Sequence, residues 1–88
     1  MNTNLNTEHP NRLMRLQEVI YTCGLSRASI YSFMEEGTFP QSVSLGARAI
    51  GWRYQDIQNW ILEKIQERDQ RLIEQAELKA KHDKRYGR

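Results

Sequence analysis

The sequence predicts a small, mainly helical domain that carries one short β-hairpin and ends in a single long helix. Three observations predict it. Apolar residues recur at helical spacing on either side of Gly24. Two short alternating stretches flank Gly46-Ala47-Arg48. From Tyr54 to about Tyr86 the chain contains neither Pro nor Gly.

The chain's 88 residues hold one domain. Apolar residues are 39% of it, enough for a small core. A domain of this size buries only about 60% of the surface its unfolded chain exposes. That leaves little room for a deep substrate pocket, and no paired carboxylates, nucleophile triad or phosphate-cradling Gly loop is visible. The expectation is therefore a non-enzyme with no cofactor and no metal. The single Cys23 allows no internal disulfide and no Cys-based zinc site, which suits a reducing cytoplasm. No run of about 18 apolar residues is present, and the polar start Met1-Asn2-Thr3-Asn4 does not read as a secretory signal. The formal charge of +2 is only mildly basic.

Residues 1–11 have one apolar side chain after Met1, Leu5, and read as a flexible arm. Residues 12–68 form the domain proper. Within Arg12–Gly24, Leu16, Val19 and Ile20 share one helical face, and Gly24 suits the left-handed stop of a helix of about two turns. A second helix follows over Leu25–Gly37. Ser26 is its N-cap, Leu25 and Ile30 fit a hydrophobic staple, and Gly37 is the stop. Ile30, Phe33 and Met34 form its buried face, which turns Ala28, Ser29, Tyr31, Ser32 and Glu35 outward. Two short helices joined through Gly24-Leu25 are a helix-turn-helix pattern. Pro40 ends the helical run, and Val43-Ser44-Leu45 with Ala49-Ile50-Gly51-Trp52 read as a hairpin with Arg48 at its tip. A short hairpin beside a helix-turn-helix is the layout of a wing, so the expected fold class is mainly α, a winged helix-turn-helix. The long helix spans about 30 residues, roughly 45 Å. Ile57, Trp60, Ile61 and Ile65 are placed to seal the head. Residues 69–88 form a helical extension with a basic end. Leu62, Ile65, Asp69, Leu72, Ala76 and Lys79 follow a 3-4-3-4-3 spacing, an imperfect seam that reads as a weak homodimer contact or as a solvated tail.

These segments resemble the AlpA family of phage-type DNA-binding regulators. The resemblance rests on Leu25-Ser26-Arg27-Ala28-Ser29-Ile30-Tyr31, Gly37-Thr38-Phe39-Pro40, Leu45-Gly46-Ala47-Arg48-Ala49-Ile50-Gly51-Trp52 and the second Trp60, and runs from about Arg12 to Arg68. The family is similar to prophage and genomic-island excisionases with a MerR-like winged helix-turn-helix. The resemblance implies a short cytoplasmic regulator of an integrated element that binds double-stranded DNA. Such a protein activates integrase transcription or assists excision, with integrase as a further partner.

Carried onto this chain, the resemblance places Ser26, Arg27 and Ser29 in the N-cap and first turn of the recognition helix. Tyr31 and Ser32 face out, and Arg48 is the wing arginine. Tyr31 suits a phosphate hydrogen bond or packing on the wing. Ser29 and Ser32 suit a base edge, a phosphate or water. Arg53 suits a backbone phosphate or an ion pair with Asp56. Trp52 and Trp60 read as core rather than base-stacking platforms, because two indoles supply much of the buried area in so small a head. The chain departs from the family at Ser32, Glu35, Gln41 and Ser44, where basic residues are common. Their loss lowers the phosphate-driven part of affinity. An alternative reading is a protein-interaction module, an antirepressor or adaptor that works through the long helix.

Overall fold

The computed structural model describes residues 9–85. The order of elements is β1 (Leu13–Met14), α1 (Leu16–Cys23), α2 (Arg27–Glu36), β2 (Val43–Ser44), β3 (Ile50–Arg53) and α3 (Tyr54–Arg85). β3 is the centre of a three-stranded antiparallel sheet of order β1-β3-β2. The winged helix-turn-helix layout expected from the sequence is present, with one addition. Leu13–Met14, part of the Arg12–Gly24 stretch in which only a helix was expected, is a strand paired with Arg53 and Trp52. Two residues carry no usable period, and their pairing depends on a partner some forty positions away.

Both short helices end where their glycines allow. The Gly24 N–H donates to the Ile20 carbonyl at 2.9 Å, with φ 71°. Gly37 at φ 81° donates to Met34, and Thr38 donates to Phe33 at 2.9 Å. The second pair is a Schellman end, which satisfies two carbonyls that the helix leaves open. α2 starts as expected: the Ser26 Oγ accepts the Ser29 N–H at 3.1 Å. Arg15 holds the N-cap position before α1, with extended backbone and no side-chain cap.

The core is Met14, Val19, Ile30, Phe39, Trp52 and Ile57, so β1, α1, α2, β3, α3 and the α2–β2 connection each contribute one residue. The connection is pinned from both sides. The Trp52 Nε1–H donates to the Pro40 carbonyl at 3.0 Å, and the Trp60 Nε1–H donates to Thr38 at 2.9 Å. The Phe39 ring meets Trp60 edge-on at 4.9 Å. The Gly-x-Phe-Pro segment is therefore a structural clasp between α2 and the wing. Trp52 is fully buried as expected, whereas Trp60 is only half-buried. Gly51 gives the sheet its close approach: a Cβ there would stand 3.1 Å from Leu45 Cδ1 and 3.3 Å from the Met14 carbonyl.

The expected arm lies outside the described residues as far as position 8. Its last three residues are bound to the head. The Pro10 carbonyl accepts the Gln55 N–H at 3.0 Å, and the Asn11 Oδ1 accepts Arg53 Nε–H at 2.8 Å. The long helix starts directly after β3 and runs 32 residues, about 48 Å at the α-helical rise. Ile57 is buried, and Trp60 and Ile61 pack on the core. Ile65, expected to help seal the head, is 40% exposed, so sealing ends one turn earlier. Every residue from Leu62 to Lys81 is exposed. The radius of gyration is 19.1 Å, where a compact chain of this length has about 12 Å, because the helix projects away from the head. Among the described residues no helix is long and apolar enough to cross a membrane.

Candidate nucleic-acid interface

The N-terminus of α1, the outer face of α2 and the wing meet around a shallow cleft of about 330 Å³. Arg15, Leu16, Gln17, Arg27, Tyr31, Arg48 and Ile50 line it. Arginines from three separate elements therefore border one depression. No carboxylate lines it. Arginine suits such a position because its charge persists at any physiological pH and its planar fork presents several donors to a phosphate.

Each element places its arginine for a local reason. Arg27 is the first residue of α2, directly after the Ser26 cap, and its guanidinium carbon lies 5.7 Å from the centre of the Tyr31 ring. The two are one helical turn apart, so the ring supports the cation beside the cleft. Arg48 sits in the wing loop, where Gly46 takes φ 154° and the Leu45 N–H closes on the Ala49 carbonyl at 2.7 Å. Arg15 projects from the junction of β1 and α1.

The expected site residues divide. Arg27, Tyr31 and Arg48 come together at the cleft. Ser26 and Ser29 lie at the start of α2 and are engaged with each other: the Ser26 hydroxyl donates to the Ser29 hydroxyl at 3.0 Å, besides accepting the Ser29 N–H. Ser32 is exposed on α2, one residue beyond Tyr31. Arg53 is not at the cleft. Its Nη1 pairs with Asp56 at 2.9 Å and its Nε donates to Asn11, so the ion-pair alternative describes its state. Arg15 was not among the expected residues. It precedes a helix it does not cap, and only the tertiary approach of the wing brings it to the cleft. Its neighbour Arg12 is committed elsewhere. It pairs with Glu18 at 2.8 Å, which pushes its pKa up, and it lies over the Tyr54 ring.

A second recess, lined by Gly37–Gln41, Asp56, Asn59, Trp60 and Glu63, shares no residue with the arginine cleft. Its two carboxylates repel phosphate. Trp60 lines this recess, with its N–H bonded to the Thr38 carbonyl, Phe39 edge-on against it and Lys64 over its ring. Cys23, half-buried at the end of α1, has its thiol pKa pushed up by burial, so it is a small core-edge hydrophobe rather than a reactive thiol.

A helix-turn-helix with a wing, and arginines from both flanking one cleft, define a winged helix-turn-helix protein with a cationic face. Residues 12–65 match the family described as prophage CP4-57 regulatory protein (AlpA), and the chain belongs to that family. It is 39% identical over 54 residues to the uncharacterized protein ORF88 of Enterobacteria phage P4, a match covering 61% of each chain. It is 32% identical over 63 residues to the DNA-binding transcriptional activator AlpA of Escherichia coli, covering 65% of this chain and 90% of that one. The chain thus spans about three-fifths of the length of the phage relative. The family match stops short of the distal half of α3.

Proposed function

We propose that this protein binds double-stranded DNA sequence-specifically and regulates a prophage or genomic island in the cytoplasm. It acts as a transcriptional regulator, for example of an integrase gene, or as an excision factor that works with integrase. The convergence of Arg15, Arg27 and Arg48 on one cleft carries this reading. In it, α2 enters the major groove. The exposed face of α2, with Ala28, Tyr31, Ser32 and Glu35, meets base edges and the adjoining backbone, while the arginines hold phosphates and set register. Ser26 holds the first turn of α2 in shape. The role is recognition, not catalysis. The name of the Escherichia coli relative supports DNA as the partner and transcription as the process.

Three phosphate contacts predict a slope of about −3 in log affinity against log salt. A gel-shift titration on DNA from the protein's own genomic neighbourhood, at several salt concentrations, tests the reading. Specific retardation that weakens with that slope supports it. No retardation over scrambled DNA at low salt overturns it. That result favours the second reading, an interaction module, which the exposed Leu62, Leu72, Ile73 and Leu78 of α3 support.

A further inference from the structure

The exposed half of α3 carries an apolar stripe, and its stretch from 69 to 79 has a symmetry of its own. Leu62, Ile65, Leu72, Ile73 and Ala76 lie on one side of the helix, and all are solvent-exposed. The stripe has two polar interruptions at core-type positions, Asp69 and Lys79. They are opposite in charge and stand equally far, five residues, on either side of position 74. Leu72 and Ala76, a large and a small residue, stand two on either side of the same point.

We propose that α3 is the docking surface for a second copy of this chain, packed antiparallel about a twofold axis at position 74. In that register Asp69 faces the partner's Lys79, and Leu72 faces the partner's Ala76. The symmetry of the pair repeats both layers. Ile73 lies next to the axis and covers the same layers from the side. A parallel pair would set Asp69 against the partner's Asp69 and Lys79 against the partner's Lys79, two like-charge layers in the seam. Only one antiparallel register converts both interruptions into ion pairs and matches large to small. In the isolated chain Asp69 is paired with Arg68, whose two bonds of 3.0 and 2.8 Å both end on Oδ1. Both side chains of that pair are more than half exposed, so it holds Asp69 only weakly and leaves Oδ2 for the partner. With few apolar layers the dimer is weak, in the micromolar range. The two heads sit at opposite ends, their Ile57 residues about 50 Å apart at the α-helical rise, more than one turn of DNA.

Sedimentation equilibrium of the full-length protein without DNA tests the proposal, and its outcome is independent of whether the head binds DNA. The wild-type chain is expected to self-associate. Asp69→Lys alone and Lys79→Asp alone each place like charges in two layers and weaken the dimer about tenfold or more. The double variant Asp69→Lys/Lys79→Asp restores the pairs and with them the association. Both positions lie on an exposed helix face, and circular dichroism of the three variants checks that the fold is kept. A monomeric wild type at hundreds of micromolar overturns the proposal. Single variants that associate like wild type, or a double variant no better than the singles, overturn it equally, because a parallel seam or a contact elsewhere behaves that way.

Discussion

Arg48 is the residue whose role is easiest to isolate, because it stands in an exposed loop and supports no core contact. Arg48→Ala is expected to weaken binding to all DNA sequences alike and to reduce the salt slope by about one unit. The melting temperature should not move. Unchanged affinity at low salt would take Arg48 out of the interface. The indoles are the opposite case. Trp52→Ala removes a fully buried ring and the donor to Pro40, and should cost about 3–5 kcal/mol in urea denaturation. Trp60→Ala should cost less, since the ring is half-buried, with the edge contact to Phe39 supplying about 1 kcal/mol of the loss. If Trp60→Ala kept full stability and abolished DNA binding, the indole would be a stacking platform and the core assignment wrong.

At the scale of the element, the first turn of α2 has a structural task and, under the proposed function, a recognition task as well. Ser26 caps the helix while sitting next to Arg27 at the cleft. Two substitutions separate the tasks. Ser26→Ala loses the cap and should cost about 1 kcal/mol of stability. Ser26→Asp keeps a capping oxygen and adds a charge favourable to the helix N-terminus, so stability should hold. The same negative charge opposes phosphate, so affinity for DNA should fall. Thermal melts and gel shifts on the two variants check both halves. An aspartate variant that binds DNA as well as wild type would place the first turn of α2 away from the backbone. The wing is an element only through its neighbours: β2 is two residues long, and a side chain at Gly51 would crowd Leu45 just beyond it.

The whole molecule is a head attached to a lever. The head seals itself by Ile61, and the rest of α3 contributes nothing to its core. Truncation after Arg68 should therefore leave the head folded, with a melting temperature within a few degrees of the full chain. It should also leave binding to an isolated half-site intact while cooperative binding to paired sites is lost, because the antiparallel seam is gone. Footprinting on paired and single sites with both proteins measures this. Equal cooperativity in the two would assign pairing on DNA to the head.

The helices, their stops and the cap of α2 were written locally, and the sequence alone determined them. Gly24 and Gly37 take the left-handed conformation that few other residues adopt, and Ser26 offers an oxygen to its own first turn. The length of α3 follows equally from composition, since nothing between Tyr54 and Arg85 interrupts a helix. The hairpin was legible from its alternation and its central glycine. Arg27, Tyr31 and Arg48 were legible as a group through resemblance to the family. What only the tertiary structure decided are the relations between distant segments. β1 exists because β3 offers it an edge. Arg53 is tied down because Asn11 and Asp56 reach it from two directions. Trp60 is half-buried because it stands between two open recesses, held at Thr38 and Phe39 with Lys64 over its ring. Arg15 joins the cleft because the sheet brings the wing against the start of α1. Period, capping and backbone freedom act over a few residues and can be read one segment at a time. Charge commitment and burial depend on which surfaces meet, and that is set only when the core closes.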